Sequence, residues 1–123
     1  MNLVDSSGWL EYFTDDKNAK YFAPVIENTN ELIVSTINIY EVYKKILIMI
    51  DENTALEAIA LMYQGRVIDV TSDISIEAAR LSAKNNIPMA DSLIYITARM
   101  NDAVVWTQDY DFKNLEGVKF IKK

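Results

Sequence analysis

Residues Leu32 to Ile50 read LIVSTINIYEVYKKILIMI, and the change of pattern inside this stretch decides the fold class. Its first four residues, LIVS, are β-branched or leucine-rich and of strand length, whereas Thr36 to Ile50 is too long for a strand and fits a helix. A strand that hands over directly to a helix is the unit of a parallel sheet covered by helices. The same alternation continues in both directions. Upstream, NLV at 2–4 predicts a first strand, SSGWLEYF a helix opening on possible caps, and DDKNAKYFAPVIEN a second helix bent or interrupted near Pro24. Downstream, a helix is expected from Asn53 to Tyr63, with Gly65 as its stop and VIDV at 67–70 as a third strand. SDISIEAARLSAKNN then predicts a helix capped by Ser72 and closed by two asparagines, and Pro88 suits the first turn of another helix reaching Asn101. AVVWT is the fourth strand and VKFI a candidate fifth, with a short helix around Phe112 to Leu115 between them. With no linker, low-complexity stretch or repeat, residues 1–123 are expected to form a single α/β domain: helices on both sides of a parallel sheet of four to five strands.

Composition limits the chemistry. Half of the residues are hydrophobic, enough for a chain of 123 residues to bury one core. The apolar runs are too short to cross a bilayer, the first residues do not read as a signal peptide, and the lack of cysteine removes any disulfide framework, so a cytoplasmic location is expected. Lacking both Cys and His, the chain can build no Ser-His-Asp triad, no cysteine nucleophile and no ordinary zinc site. Any catalysis must rest on carboxylates, with or without a metal. The 18 Asp and Glu outnumber 12 Lys and Arg, for a net charge of −6, which opposes nucleic-acid binding unless a metal or a local basic patch offsets it.

Ligands of open α/β sheets bind beyond the carboxyl ends of the strands, so acids there are the first candidates. Asp5 directly follows the first strand and Asp109 follows the fourth by two residues. If those strands are neighbours, the two carboxylates share one edge. Position alone leaves Asp5 equally open to capping the helix after it. Asp91 shares a helix face with Ile94, Tyr95 and Ala98, and an ionised group on an apolar stripe calls for a counter-charge or a metal, although the helix dipole also favours an early Asp. Glu41 lies in NIYEVYKKI among apolar and aromatic neighbours, with Lys44 and Lys45 at spacings that also permit ordinary surface pairs.

Taken together, VDSSGW, NIYEVYKK, PMADSLIYITA and WTQDYDF resemble the PIN-domain ribonucleases, in particular the VapC-type toxins of prokaryotic toxin–antitoxin pairs, in motif order, spacing and total length. The resemblance covers the whole chain. It implies a five-stranded parallel sheet, metal-dependent cleavage of RNA, and an acidic quartet at Asp5, Glu41, Asp91 and Asp109. Ser6 and Thr107 match hydroxyl positions near the family's site, and Asp111 with Phe112 completes its T-x-D-x-D-F ending. The resemblance also implies a protein antitoxin and a homodimer, with Trp9, Tyr12, Phe13, Tyr21, Phe22 and Tyr43 as candidate apolar contacts.

Four crowded carboxylates repel one another by roughly 4 kcal/mol per pair at 4 Å and an effective dielectric near 20, so such a cluster calls for cations. All-oxygen ligands favour Mg²⁺ or Mn²⁺. Asp5, Asp91 and Asp109 are then the expected main ligands, Glu41 holds a second ion or helps deprotonate water, and Asp111 caps the short helix. Lys44, Lys45, Arg99 and Lys113 are the candidate RNA contacts. Two alternatives remain: a receiver-like phosphorylation switch, and a PIN-type fold that only binds. Against the receiver, Asp5 is followed by two serines, Asp69 is expected inside its strand, and no Lys follows AVVWT.

Overall fold

The computed structural model describes residues 1–123. Five strands, β1 (Asn2–Val4), β2 (Leu32–Ser35), β3 (Arg66–Ile68), β4 (Val104–Thr107) and β5 (Val118–Phe120), form one sheet in the order β3-β2-β1-β4-β5. Every pairing is parallel. The six helices are α1 (Ser6–Phe13), α2 (Ala19–Glu27), α3 (Thr36–Met49), α4 (Glu52–Met62), α5 (Ser72–Asn85) and α6 (Met89–Met100). No helix is long and apolar enough to cross a membrane.

Strand periodicity divides the core in two. Val4, Leu32 and Val34 point to a cluster with Trp9, Phe22, Val42 and Met62 from the first four helices. Leu3, Ile33 and Val105 point the other way, against Ile94, Tyr95 and Ala98 of α6. Because neighbours along a strand face opposite sides, a strand covered on both sides reads as a continuous apolar run, which is why LIVS is buried throughout. The three-layer α/β/α architecture and all five strands agree with the sequence.

Several boundaries differ. Pro24 lies inside α2 without ending it, and the DDKN segment before that helix is not helical, with Asp15 at a positive φ of 50°. Thr71, not Ser72, caps α5: its Oγ1 accepts the Ile74 N–H at 3.2 Å. β3 ends at Ile68, so Asp69 follows the strand instead of lying within it, and one objection to a receiver falls. Strand order replaces it, since receivers run 2-1-3-4-5 and this sheet runs 3-2-1-4-5. The short helix near the end is a 3₁₀ turn at Tyr110–Phe112, earlier than expected, and Asp109 caps it through a 2.9 Å bond from the Asp111 N–H. Asp111 is therefore not the cap.

The strand order reverses between parallel neighbours β1 and β4, the place where an open sheet leaves a crevice at its carboxyl edge. α1 presses close to that edge. A Cβ added to Gly8 would come 2.5 Å from Val4 Cγ1 and 2.8 Å from Phe22 Cδ1. Both neighbours are fully buried and can yield little. Gly8→Ala is expected to lower stability by about 1–3 kcal/mol, the usual cost of overpacking, as a fall in the urea midpoint. An unchanged midpoint would mean that α1 moves off the sheet without penalty.

Candidate metal centre

The ladder between β1 and β4 continues one step past Val4, where the Asp5 N–H donates to the Trp106 carbonyl at 3.1 Å. That bond sets Asp5 level with the end of β4. Its carboxylate also caps α1, accepting from Gly8 N–H at 3.4 Å and Ser7 Oγ at 2.7 Å. Capping and membership of an acidic group are thus compatible in one side chain. Asp5 is only 3% exposed, and burial pushes its carboxyl up to about 7, assisted by the charge of Asp109 and opposed by the bonds from Ser7, Thr107 and Gly8. The Thr107 hydroxyl stands between the two acids, bonding to Asp5 and accepting the Asp109 N–H at 2.8 Å.

Asp91, in the first turn of α6, reaches the same edge from the other layer. Its helical neighbours Ile94, Tyr95 and Ala98 are buried as the periodicity predicts. Oxygens of Asp91, Asp109 and Asp111 all lie within 4.8 Å of one another. Burial lifts the Asp91 carboxyl to about 7, followed by the charge of Asp109, a hydrogen bond with Asp111, and the charges of Asp111 and Glu41. The tight trio therefore includes exposed Asp111, with Asp5 adjoining it through Thr107. Glu41 approaches from α3, where its Oε1 accepts from Ser6 Oγ at 2.7 Å. Ser6 is in turn held by Asn38 Nδ2 at 3.1 Å, and Asn38 Oδ1 accepts the Ser35 N–H at 3.1 Å, completing the capping box of α3.

None of the chain's ion pairs involves these five acids. Oxygen donors alone, crowded and without a cationic partner, fit Mg²⁺ or Mn²⁺.

The candidate cations fall differently. Lys44 and Lys45 line a cleft of about 500 Å³ with Ser6, Ser7, Tyr40 and Glu41. Lys113 lies over the rings of Tyr110 and Phe120, at 5.6 and 5.5 Å from their centres. Arg99 pairs with Glu116 at 3.8 Å and, eight residues beyond Asp91 at about 1.5 Å per residue, sits near the far end of α6.

A PIN domain profile matches residues 3–118. The chain belongs to the PIN domain family. No curated protein matches it. Among solved structures, this PIN domain is similar to a chain of a toxin–antitoxin complex from Klebsiella pneumoniae, at 20% identity and TM-score 0.82 with all of both chains covered. It is also similar to VapC20 of Mycobacterium tuberculosis, described as a sarcin-ricin loop cleaving toxin, at 18% identity and TM-score 0.81, covering 100% of this chain and 98% of that one. DNA-bound VapBC from Salmonella typhimurium follows at 16% identity and TM-score 0.77, covering 99% and 98%. At such identities the likeness is one of fold.

Some residues wired into this PIN domain's acidic edge were not singled out from sequence: Asn38, Ser7, Glu11 and Gln108. Asn38 had a legible signal, since a polar side chain three residues after Ser35 is capping-box spacing. Glu11 and Gln108 had none, because their contacts join positions 97 residues apart.

Proposed function

We propose that the chain is a divalent-metal-dependent endoribonuclease, acting as the toxin of a toxin–antitoxin pair. The observation that carries the proposal is the trio Asp91, Asp109 and Asp111, three carboxylates within 4.8 Å at the β1/β4 crevice, with buried Asp5 beside them. Asp5, Asp91, Asp109 and Asp111 would hold the metal, and Glu41 would hold a second ion or act as base. Bound there, Mg²⁺ or Mn²⁺ lowers the pKa of water and neutralises charge developing on the phosphate.

The chain's own groups do the remainder. Ser6 occupies Glu41 Oε1, which leaves Oε2 able to take a proton from the attacking water. Thr107 spaces Asp5 from Asp109 and so fixes where the phosphate can sit. Lys44 and Lys45, on the cleft beside Glu41, supply positive charge to the flanking phosphates of an otherwise acidic protein. RNA as the substrate, and an antitoxin as partner, are supported by membership of the PIN family together with the toxin–antitoxin complexes among its structural neighbours. For the partner surface, Trp9 and Phe22 are buried in the core, whereas Ile48 and Met49 of α3, Ile50 just beyond it and Leu56 of α4 stand exposed. A homodimer belongs to the same reading through the VapC resemblance.

The test is direct. Purified protein incubated with end-labelled tRNA, rRNA and message is expected to cut at discrete positions with Mn²⁺ or Mg²⁺, and to stop when EDTA is added. Intact RNA throughout the panel, in protein shown to be folded, would remove the ribonuclease assignment.

A further inference from the structure

Glu11 is a buried acid that the proposed chemistry does not use. It lies on α1, 3% exposed, and both of its oxygens are occupied. Oε2 accepts the Asn18 N–H at 2.9 Å, while Oε1 accepts from Gln108 Nε2 at 3.1 Å and from Lys123 Nζ at 3.0 Å. Burial alone would raise its pKa, but the Asn18 amide, the Lys123 ammonium and the Gln108 amide together hold it below the usual range. Glu11 is therefore favoured as an anion, with a hydrogen-bond partner on each oxygen. Asn18 closes the circuit by donating its Nδ2 to Gln108 Oε1 at 2.9 Å.

Gln108 is thus gripped at both ends of its side chain, between Thr107 and Asp109. The side-chain amide does this because it both donates and accepts at this reach; an ionised Glu lacks the donor, and Met has no donor and only a weakly accepting sulfur. The main chain of the same residue faces the acids. Its N–H donates to Ser7 Oγ at 3.4 Å, and Ser7 Oγ donates to Asp5 at 2.7 Å. One residue later the Asp109 N–H is held by Thr107.

We propose that Glu11, Asn18 and Gln108 form a positioning clamp that fixes the turn after β4 and so sets the spacing of Asp5 and Asp109. The clamp touches neither metal nor RNA and acts only through Asp109. It rests on the metal-centre proposal, but half of its test does not. Carboxylates must be held closely to bind a small hard cation, and loss of an outer partner of a metal ligand typically weakens binding by about 10- to 100-fold.

Gln108→Met keeps the length and removes both side-chain bonds, while Glu11 retains Asn18 and Lys123. Two quantities are measured: hydrogen exchange of the Gln108 and Asp109 amides in EDTA, and the Mn²⁺ concentration at the midpoint of thermal stabilisation. Expected for the variant are exchange faster by about tenfold and a Mn²⁺ midpoint higher by about tenfold, with the EDTA melting temperature near that of wild type. Unchanged exchange overturns the clamp. Faster exchange with an unchanged Mn²⁺ midpoint overturns its positioning role. If wild type itself shows no Mn²⁺ effect, the metal centre fails while the exchange comparison still reads the clamp. A second variant, Asn18→Ala, removes the Gln108 Oε1 bond and a longer 3.4 Å bond to the Lys122 carbonyl, keeps the Asn18 N–H on Glu11, and is expected to move both quantities the same way by less; no movement in either counts against the clamp.

Discussion

Asp91→Asn is expected to lower metal-dependent RNA cleavage by about 100-fold or more, since losing even an outer partner of a metal ligand costs 10- to 100-fold. The substitution keeps size and shape, removes the charge and exchanges one carboxylate oxygen for an amide NH2 that cannot ligate a metal. Asp91 is the residue on which the cluster converges: burial, Asp109, Asp111 and Glu41 all act on its carboxyl. Its replacement relieves repulsion, so in EDTA at pH 8 the variant is expected to melt no lower than wild type. Lost activity with retained or improved stability separates a site residue from a structural one. Equal activity of the two proteins in the same assay would remove Asp91 from the mechanism.

A second large effect lies in pH and metal together. Asp5 and Asp91 have folded-state pKa values raised to about 7, above the value near 3.9 expected of an unfolded Asp. Between those limits the folded protein holds more protons than the unfolded one, so stability falls as pH rises. It is full below about pH 4 and has been lost once pH passes about 7. For buried Asp5 alone this amounts to a few kcal/mol. In EDTA the urea midpoint is therefore expected to be higher at pH 5 than at pH 8. Mn²⁺ at about a hundred times its Kd should restore about 2.7 kcal/mol at pH 8, a rise in Tm on the order of 10 °C. A flat pH profile with no response to millimolar Mn²⁺ would sink the acidic metal centre.

What could be seen in the sequence, and what could not, divides along the length of the interactions involved. LIVS followed by a long helical run announced the sheet and its crossovers because those signals are local. Asp5 and Asp109 were legible as edge residues because strand ends are local too, although their adjacency needed β1 and β4 to pair. The roles of Asp109 and Asp111 in the turn were exchanged, since a 3₁₀ turn starting at Tyr110 instead of Phe112 decides which carboxylate receives the N–H. Thr71 and Ser72 both cap well by type, and backbone angle alone chose Thr71. Nothing in the sequence around Glu11 sets it apart from a surface acid. Its burial depends on Gln108 and Lys123, 97 and 112 residues away, and no local pattern carries that.

The two outer strands bear on how this protein can associate. β3 and β5 are three residues each, and each carries an exposed cation, Arg66 on one and Lys119 on the other. Short, charged margins resist the addition of a further strand from another chain. Lateral growth of the sheet is discouraged on both sides, which leaves helix surfaces as the places where a second polypeptide can be accommodated. A peptide that inhibits this protein should therefore bind as a helix or an irregular segment, and its main chain should gain no ladder of hydrogen bonds on docking.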